Sequence, residues 1–121
     1  MNNAEILTAS VSQLLDAYRL AAVTYGDAVA NGRHRAANRS HDLLTNIRKE
    51  LASRGEESAA ALAVLLQDAE PAVRLWAATH CLDIQPVAAI QALEELVAQP
   101  ASPLGLMAGI ALADSRKKRN F

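Results

Sequence analysis

Apolar residues recur along this chain at three- and four-residue spacing, which is the signature of helices with one buried face. Val11, Leu14, Leu15, Tyr18, Ala22, Tyr25 and Val29 draw the first such stripe. It predicts a long helix that begins near Thr8 or Ser10, either of which can accept a hydrogen bond from a free amide as N-cap. Gly26 weakens the middle of this helix, and Asn31-Gly32 stops it, because both residues tolerate left-handed backbone. A second helix is predicted over about residues 33–53. Ala37, Leu44, Ile47 and Leu51 face inward on it, and Arg35, Arg39, Asp42, Asn46 and Lys49 face away. Arg54-Gly55 ends it. Glu56 and Glu57 then open a third helix that reaches Leu66, where their charge suits the positive end of the helix dipole.

Prolines punctuate the rest. Pro71 and Pro86 open the fourth and fifth helices, since a missing amide hydrogen costs nothing at the first helical position. Ser102-Pro103 opens the sixth with a capping residue in front. That helix runs into a basic tail, residues 115–121, which is expected to fray into disorder. A shift of 31 residues superposes Ala61 on Ala92, Leu62 on Leu93, Leu65 on Leu96, Leu75 on Leu106 and Ala77 on Ala108 without a gap. Leu66 on Val97, Val73 on Leu104 and Cys81 on Leu112 keep the apolar character. A repeat of this length, each unit two helices, describes hairpins that must stack on neighbours to bury their apolar faces.

Composition narrows the fold further. Of the 121 residues 51% are hydrophobic but only 3% aromatic, so the interior is packed from small side chains between helices and an all-β fold is excluded. One domain over residues 1–121 is expected from this length. The net charge of -1 gives no global reason to bind nucleic acid or an anionic membrane. Its distribution is uneven. Residues 33–54 hold six cations against two acids, and residues 55–114 are acidic with Arg74 as their one cation. Cys81 is the single cysteine, which fits a reducing compartment and a cytoplasmic location. The start carries an acid where a signal peptide needs basic residues, and no apolar run is long enough to span a bilayer.

Asp68, Glu70, Pro71, Val73, Arg74, Ala77 and Ala78 read D-x-E-P-x-V-R-x-x-A-A, which resembles the consensus of HEAT-like repeats. The second copy departs from it, with Gln99 in place of Asp68 and Gly105 in place of Arg74. Asn38-Arg39, Asp42-Leu43, Glu50-Leu51, Arg54-Gly55 and the run Val73 to Ala78 together look like a small bacterial family of HEAT-like domains of unknown function. The resemblance implies an all-α, right-handed α-α superhelix of about three hairpins. It also implies that the acid and the arginine of the motif tie neighbouring helices together. It brings no activity or catalytic residue.

Candidate chemistry is sparse. His34 and His41 lie on one helical face and His80 abuts Cys81, but neither spacing is that of a zinc site, and adjacent helical residues diverge. For the same reason His80 cannot serve as a base to Cys81, whose superposition on Leu112 marks it as core. Gly105 and Gly109 form a G-x-x-x-G, read either as close packing against the preceding helix or as a dimer seam. No catalytic residue, cofactor or metal is expected, and the chain is expected not to be an enzyme. The expected function is a non-enzymatic protein-protein interaction module, toxin-neutralising or regulatory, drawing its contacts from Arg35, Arg39, Arg74, Trp76 and His80. The alternative is nucleic-acid binding through the basic second helix, the less favoured partner class. A membrane partner is not expected, and the chain is read as a monomer or weak homodimer.

Overall fold

The computed structural model describes residues 1–99 and 102–119, with the side chain of Arg119 left aside. Among the described residues every regular element is helical: α1 (Asn3–Thr8), α2 (Val11–Ala30), α3 (His34–Ser53), α4 (Glu56–Ala60), a 3₁₀ segment (Ala61–Gln67), α5 (Pro71–Cys81), α6 (Pro86–Val97) and α7 (Pro103–Arg119). No helix among them is long and apolar enough to cross a membrane. The chain divides into two compact units, Met1–Leu62 and Ala63–Phe121.

In the first unit α2 packs along α3, and α1 against α3. Leu14, Tyr18 and Ala22 from α2 and Leu44, Ile47 and Leu51 from α3 are completely shielded from solvent, as the apolar stripes require. Ser10 caps α2 in a capping box with Gln13, each side chain bonding the other residue's backbone amide. Gly26 does not interrupt α2, and Gly32 ends it with φ at 68°. The sequence reading missed α1. Asn2 caps this short helix in a second capping box with Glu5, and Ile6 anchors it in the core.

Arg54 explains how so short a helix is held. Its Nη1 donates to the carbonyl of Ala9 at 2.6 Å, and its Nη2 to those of Ile6 and Leu7 at 3.1 and 3.2 Å. A cation thus meets the negative end of the α1 dipole and satisfies carbonyls that have no partner within the helix. Glu50, one turn back on α3, accepts from Arg54 Nε at 2.7 Å and holds the guanidinium in place.

The predicted third helix is two elements. After α4 the chain tightens into 3₁₀ geometry over Ala61–Gln67, in which residues three apart eclipse. Leu62 and Leu65 are therefore both turned inward, at 1% and 8% exposure.

In the second unit α6 packs against both α5 and α7. Val73, Ala77, Ala78 and Cys81 from α5, Ala89 and Leu93 from α6, and Ala108 from α7 have no exposed surface. Pro71, Pro86 and Pro103 each stand at the first position of their helix, as expected. Gly105 marks the close approach of α7 to α6: a Cβ there would lie 3.0 Å from the Leu96 carbonyl oxygen. That contact matches the packing reading of the G-x-x-x-G. The basic stretch is helical as far as Arg119; the rest of the expected disordered tail, residues 120 and 121, lies outside the described residues.

Candidate functional site

A groove in the second unit collects polar groups that the sequence leaves scattered. It encloses about 670 Å³ and is lined by Ala63, Val64, Leu66, Gln67, Arg74, Gln85, Ala88, Gln91, Ala92 and Glu95. The 3₁₀ segment supplies Gln67, α5 supplies Arg74, the residue before α6 supplies Gln85, and successive outer turns of α6 supply Gln91 and Glu95. Ala88 and Ala92 leave room because their side chains stop at Cβ. Gln67, Gln85, Gln91 and Glu95 are all exposed, whereas Arg74 is half-buried. Gln91 Nε2 donates to Glu95 Oε1 at 3.5 Å, a long contact that leaves the carboxamide free to turn.

The turn before α5 fixes Arg74. Asp68 Oδ2 accepts from the Glu70 amide at 2.9 Å, closing a tight turn ahead of Pro71. Arg74 Nη1 then donates to the carbonyls of Asp68 and Ala69 at 2.9 and 3.3 Å. The motif's arginine thus holds its turn through backbone oxygens, and its planar head is oriented within the groove wall.

The remaining expected contact residues fall elsewhere. Arg35 and Arg39 are exposed on α3 in the first unit, on one face with Asp42, Asn46 and Lys49, which are exposed as well. Trp76 is a correction: only 7% of it is exposed, so it is a packing residue with almost no surface to offer a partner. Its ring lies 5.6 Å from that of His80, tilted by 47°, as expected for residues one helical turn apart. His80 is half-buried. Neither lines the groove. Cys81 is completely buried, and burial pushes its thiol up to about 11. Among the described residues no group of three or more His, Cys, Asp or Glu side chains is placed to hold a metal ion.

The sequence reading missed Gln67, Gln85, Gln91 and Glu95. They are ordinary surface residues on three different elements, and only the Gln91–Glu95 spacing of four could have hinted at a shared face.

The family described as a domain of unknown function, DUF2019, matches residues 12–115, from the start of α2 to the last turns of α7. The chain belongs to the DUF2019 family. The crystal structure of a Rhodopseudomonas palustris protein is similar over 96% of this chain and 95% of that one, with a TM-score of 0.86 and 27% sequence identity. No curated protein matches the chain. The DUF2019 match takes in the whole groove and the α3 face, while α1 and the final residues of α7 lie outside it.

Proposed function

We propose that this DUF2019 chain is a non-enzymatic protein-interaction module, a stack of HEAT-like hairpins whose partner docks in the polar groove of the second unit. The groove's chemistry carries this reading: three carboxamides, a guanidinium and a carboxylate set among the small and aliphatic side chains of Ala63, Val64, Leu66, Ala88 and Ala92. A carboxamide both donates and accepts, so Gln67, Gln85 and Gln91 suit the alternating amide and carbonyl groups of a peptide backbone. Arg74 suits a carboxylate on the partner, and Glu95 suits a cation. The arginine of the D-x-E-P-x-V-R motif ties its own turn together through main-chain oxygens, a more local role than the tie between neighbouring helices that the resemblance implies. Neutralising a toxin or regulating an enzyme in the bacterial cytoplasm both need such a surface and no catalysis.

The test is affinity capture from the native organism with quantification of bound proteins. Wild type is expected to recover a specific protein that Gln91→Ala and Glu95→Lys lose while keeping an unchanged melting temperature. Both residues are exposed, so retention of the same partner by both variants rejects the groove as the docking site.

One observation favours a second reading. The exposed face of α3 from Arg35 to Lys49 runs for about 21 Å at 1.5 Å per residue, and its cations could follow a phosphate backbone. Asp42 interrupts it, with its side chain 79% exposed. A gel shift at low salt that Arg39→Glu abolishes would support nucleic acid here; the absence of any shift would dismiss it.

A further inference from the structure

Arg54 and Arg74 are both half-buried and both held by main-chain oxygens, yet only one of them meets an acid. Arg54 uses Nη1 and Nη2 on the carbonyls of α1 and its C-cap, and gives Nε to the carboxylate of Glu50 at 2.7 Å. Arg74 uses Nη1 alone, on the carbonyls of Asp68 and Ala69. Among the described residues its Nε and Nη2 have no hydrogen-bond partner, and it forms no ion pair. Asp68, the acid of its own motif, gives a carboxylate oxygen to the Glu70 amide instead. Glu95, which lines the same groove as Arg74, bonds Gln91.

We infer, resting on the docking groove proposed above, that the Nε–Nη2 edge of Arg74 receives the side-chain carboxylate of one internal Asp or Glu of the partner polypeptide. The two N–H groups on that edge of a planar guanidinium run parallel, at the spacing of the two oxygens of a carboxylate. The Nη1 bonds to the turn fix the plane, so the fork is set before the partner arrives and little freedom is lost on binding. Docking also makes the acid necessary. A partner that fills the groove takes water off Arg74, and a guanidinium stripped of water without a counter-charge is costly. A segment with no acid at that point is therefore rejected.

The levels of the groove select the kind of carboxylate. Gln67, Gln85 and Gln91 are exposed, whereas Arg74 is half-buried. A main chain bonded to the three carboxamides runs at the rim, and a side chain has to reach inward to the fork. The α-carboxylate of a chain end would have to leave that level. Glu95 restricts the charge to one, because it offsets Arg74 within the groove. A doubly charged phosphate or a run of acids meets more repulsion there than a single carboxylate does.

NMR of the isotope-labelled full chain, at neutral pH and fixed ionic strength, tests this through the Nε–Hε signal of Arg74. The probe is the blocked peptide acetyl-Gly-Asp-Gly-amide. It is set against acetyl-Gly-Asn-Gly-amide, acetyl-Gly-Gly-Gly with a free C-terminal carboxylate, and inorganic phosphate. The Asp peptide is expected to move the signal along a saturable curve at millimolar concentration, with an affinity several-fold above the other three. Arg74→Lys keeps the charge and loses the edge. Followed through the Gln91 side-chain amide, it should weaken the Asp peptide several-fold while the rest of the spectrum keeps its dispersion. An Arg74 signal that the Asp peptide leaves unmoved overturns the proposal, and so does an effect equalled by any of the other three probes. Undiminished binding to Arg74→Lys overturns it as well. If the native partner is still lost on Gln91→Ala and Glu95→Lys alongside any of these results, the groove stands and only this role of Arg74 falls. Undiminished capture by those two variants removes the groove and the proposal with it.

Discussion

Arg54 and Cys81 show how much single residues decide here. Arg54 gives three main-chain oxygens of α1 and its C-cap their hydrogen bonds, and these are bonds to a charged, partly buried donor. Arg54→Ala is expected to cost about 1.5–3 kcal/mol, the range for hydrogen bonds to charged groups. Arg54→Lys should recover little of it, because an ammonium cannot reproduce the guanidinium fork. Urea denaturation of the two variants checks both statements. Cys81 makes a prediction about pH. The unfolded chain loses the thiol proton near 9.0 and the folded chain near about 11. Between those values the folded state binds more protons, so this contribution is whole below pH 9 and disappears as pH rises to about 11. The stability difference between wild type and Cys81→Ala should therefore shift steadily against wild type across that window, as urea midpoints would show. A constant difference would mean that the thiol is not sheltered.

At the scale of elements, caps and prolines placed the starts of α5, α6 and α7 correctly, because these signals act within a single turn. Two local outcomes were not legible. Asn2 and Glu5 form a capping box, but α1 is only six residues long, too short to persist without tertiary support. Arg54 supplies that support from far along the chain. The change from α to 3₁₀ geometry after Ala60 leaves no mark in a run of alanine and leucine that suits either helix. Helix packing also separates the two glycines of α7. A Cβ at Gly105 meets the α6 backbone at 3.0 Å, while at Gly109 the nearest atom is Val97 Cγ2 at 3.9 Å. Gly105→Ala is expected to destabilise by about 1–3 kcal/mol through overpacking. Gly109→Ala should be neutral or stabilise by up to about 1 kcal/mol, since alanine is the better helix former. Thermal melts at low protein concentration would separate the two.

Across the whole molecule, each compact unit has its own buried residues, and local opening follows such boundaries. Leu44 is completely buried in the first unit, so Leu44→Ala is expected to cost about 2–5 kcal/mol. In hydrogen exchange followed by mass spectrometry it should loosen α2 and α3 while α5 and α6 keep their protection. Equal acceleration in all four helices would show that the chain opens as one body. Function is distributed in the same way. Cations stand on α3 in one unit, and the mixed polar groove lies in the other.

The sequence alone determined the all-helical architecture, the core stripes of α2 and α3, the proline-marked starts of the last three helices and the burial of Cys81. Each follows from spacing or from chemistry acting within a turn or two. Tertiary structure decided where side chains with no local signal end up. It drew Trp76 inward and turned Arg54 into the anchor of α1. It gathered Gln67, Arg74, Gln85, Gln91 and Glu95 into one groove, and left Leu106 open where the matching Leu75 is closed. The physical reason is the same throughout: periodicity says that a helix has a face, but only the neighbour packed against it says whether that face is covered.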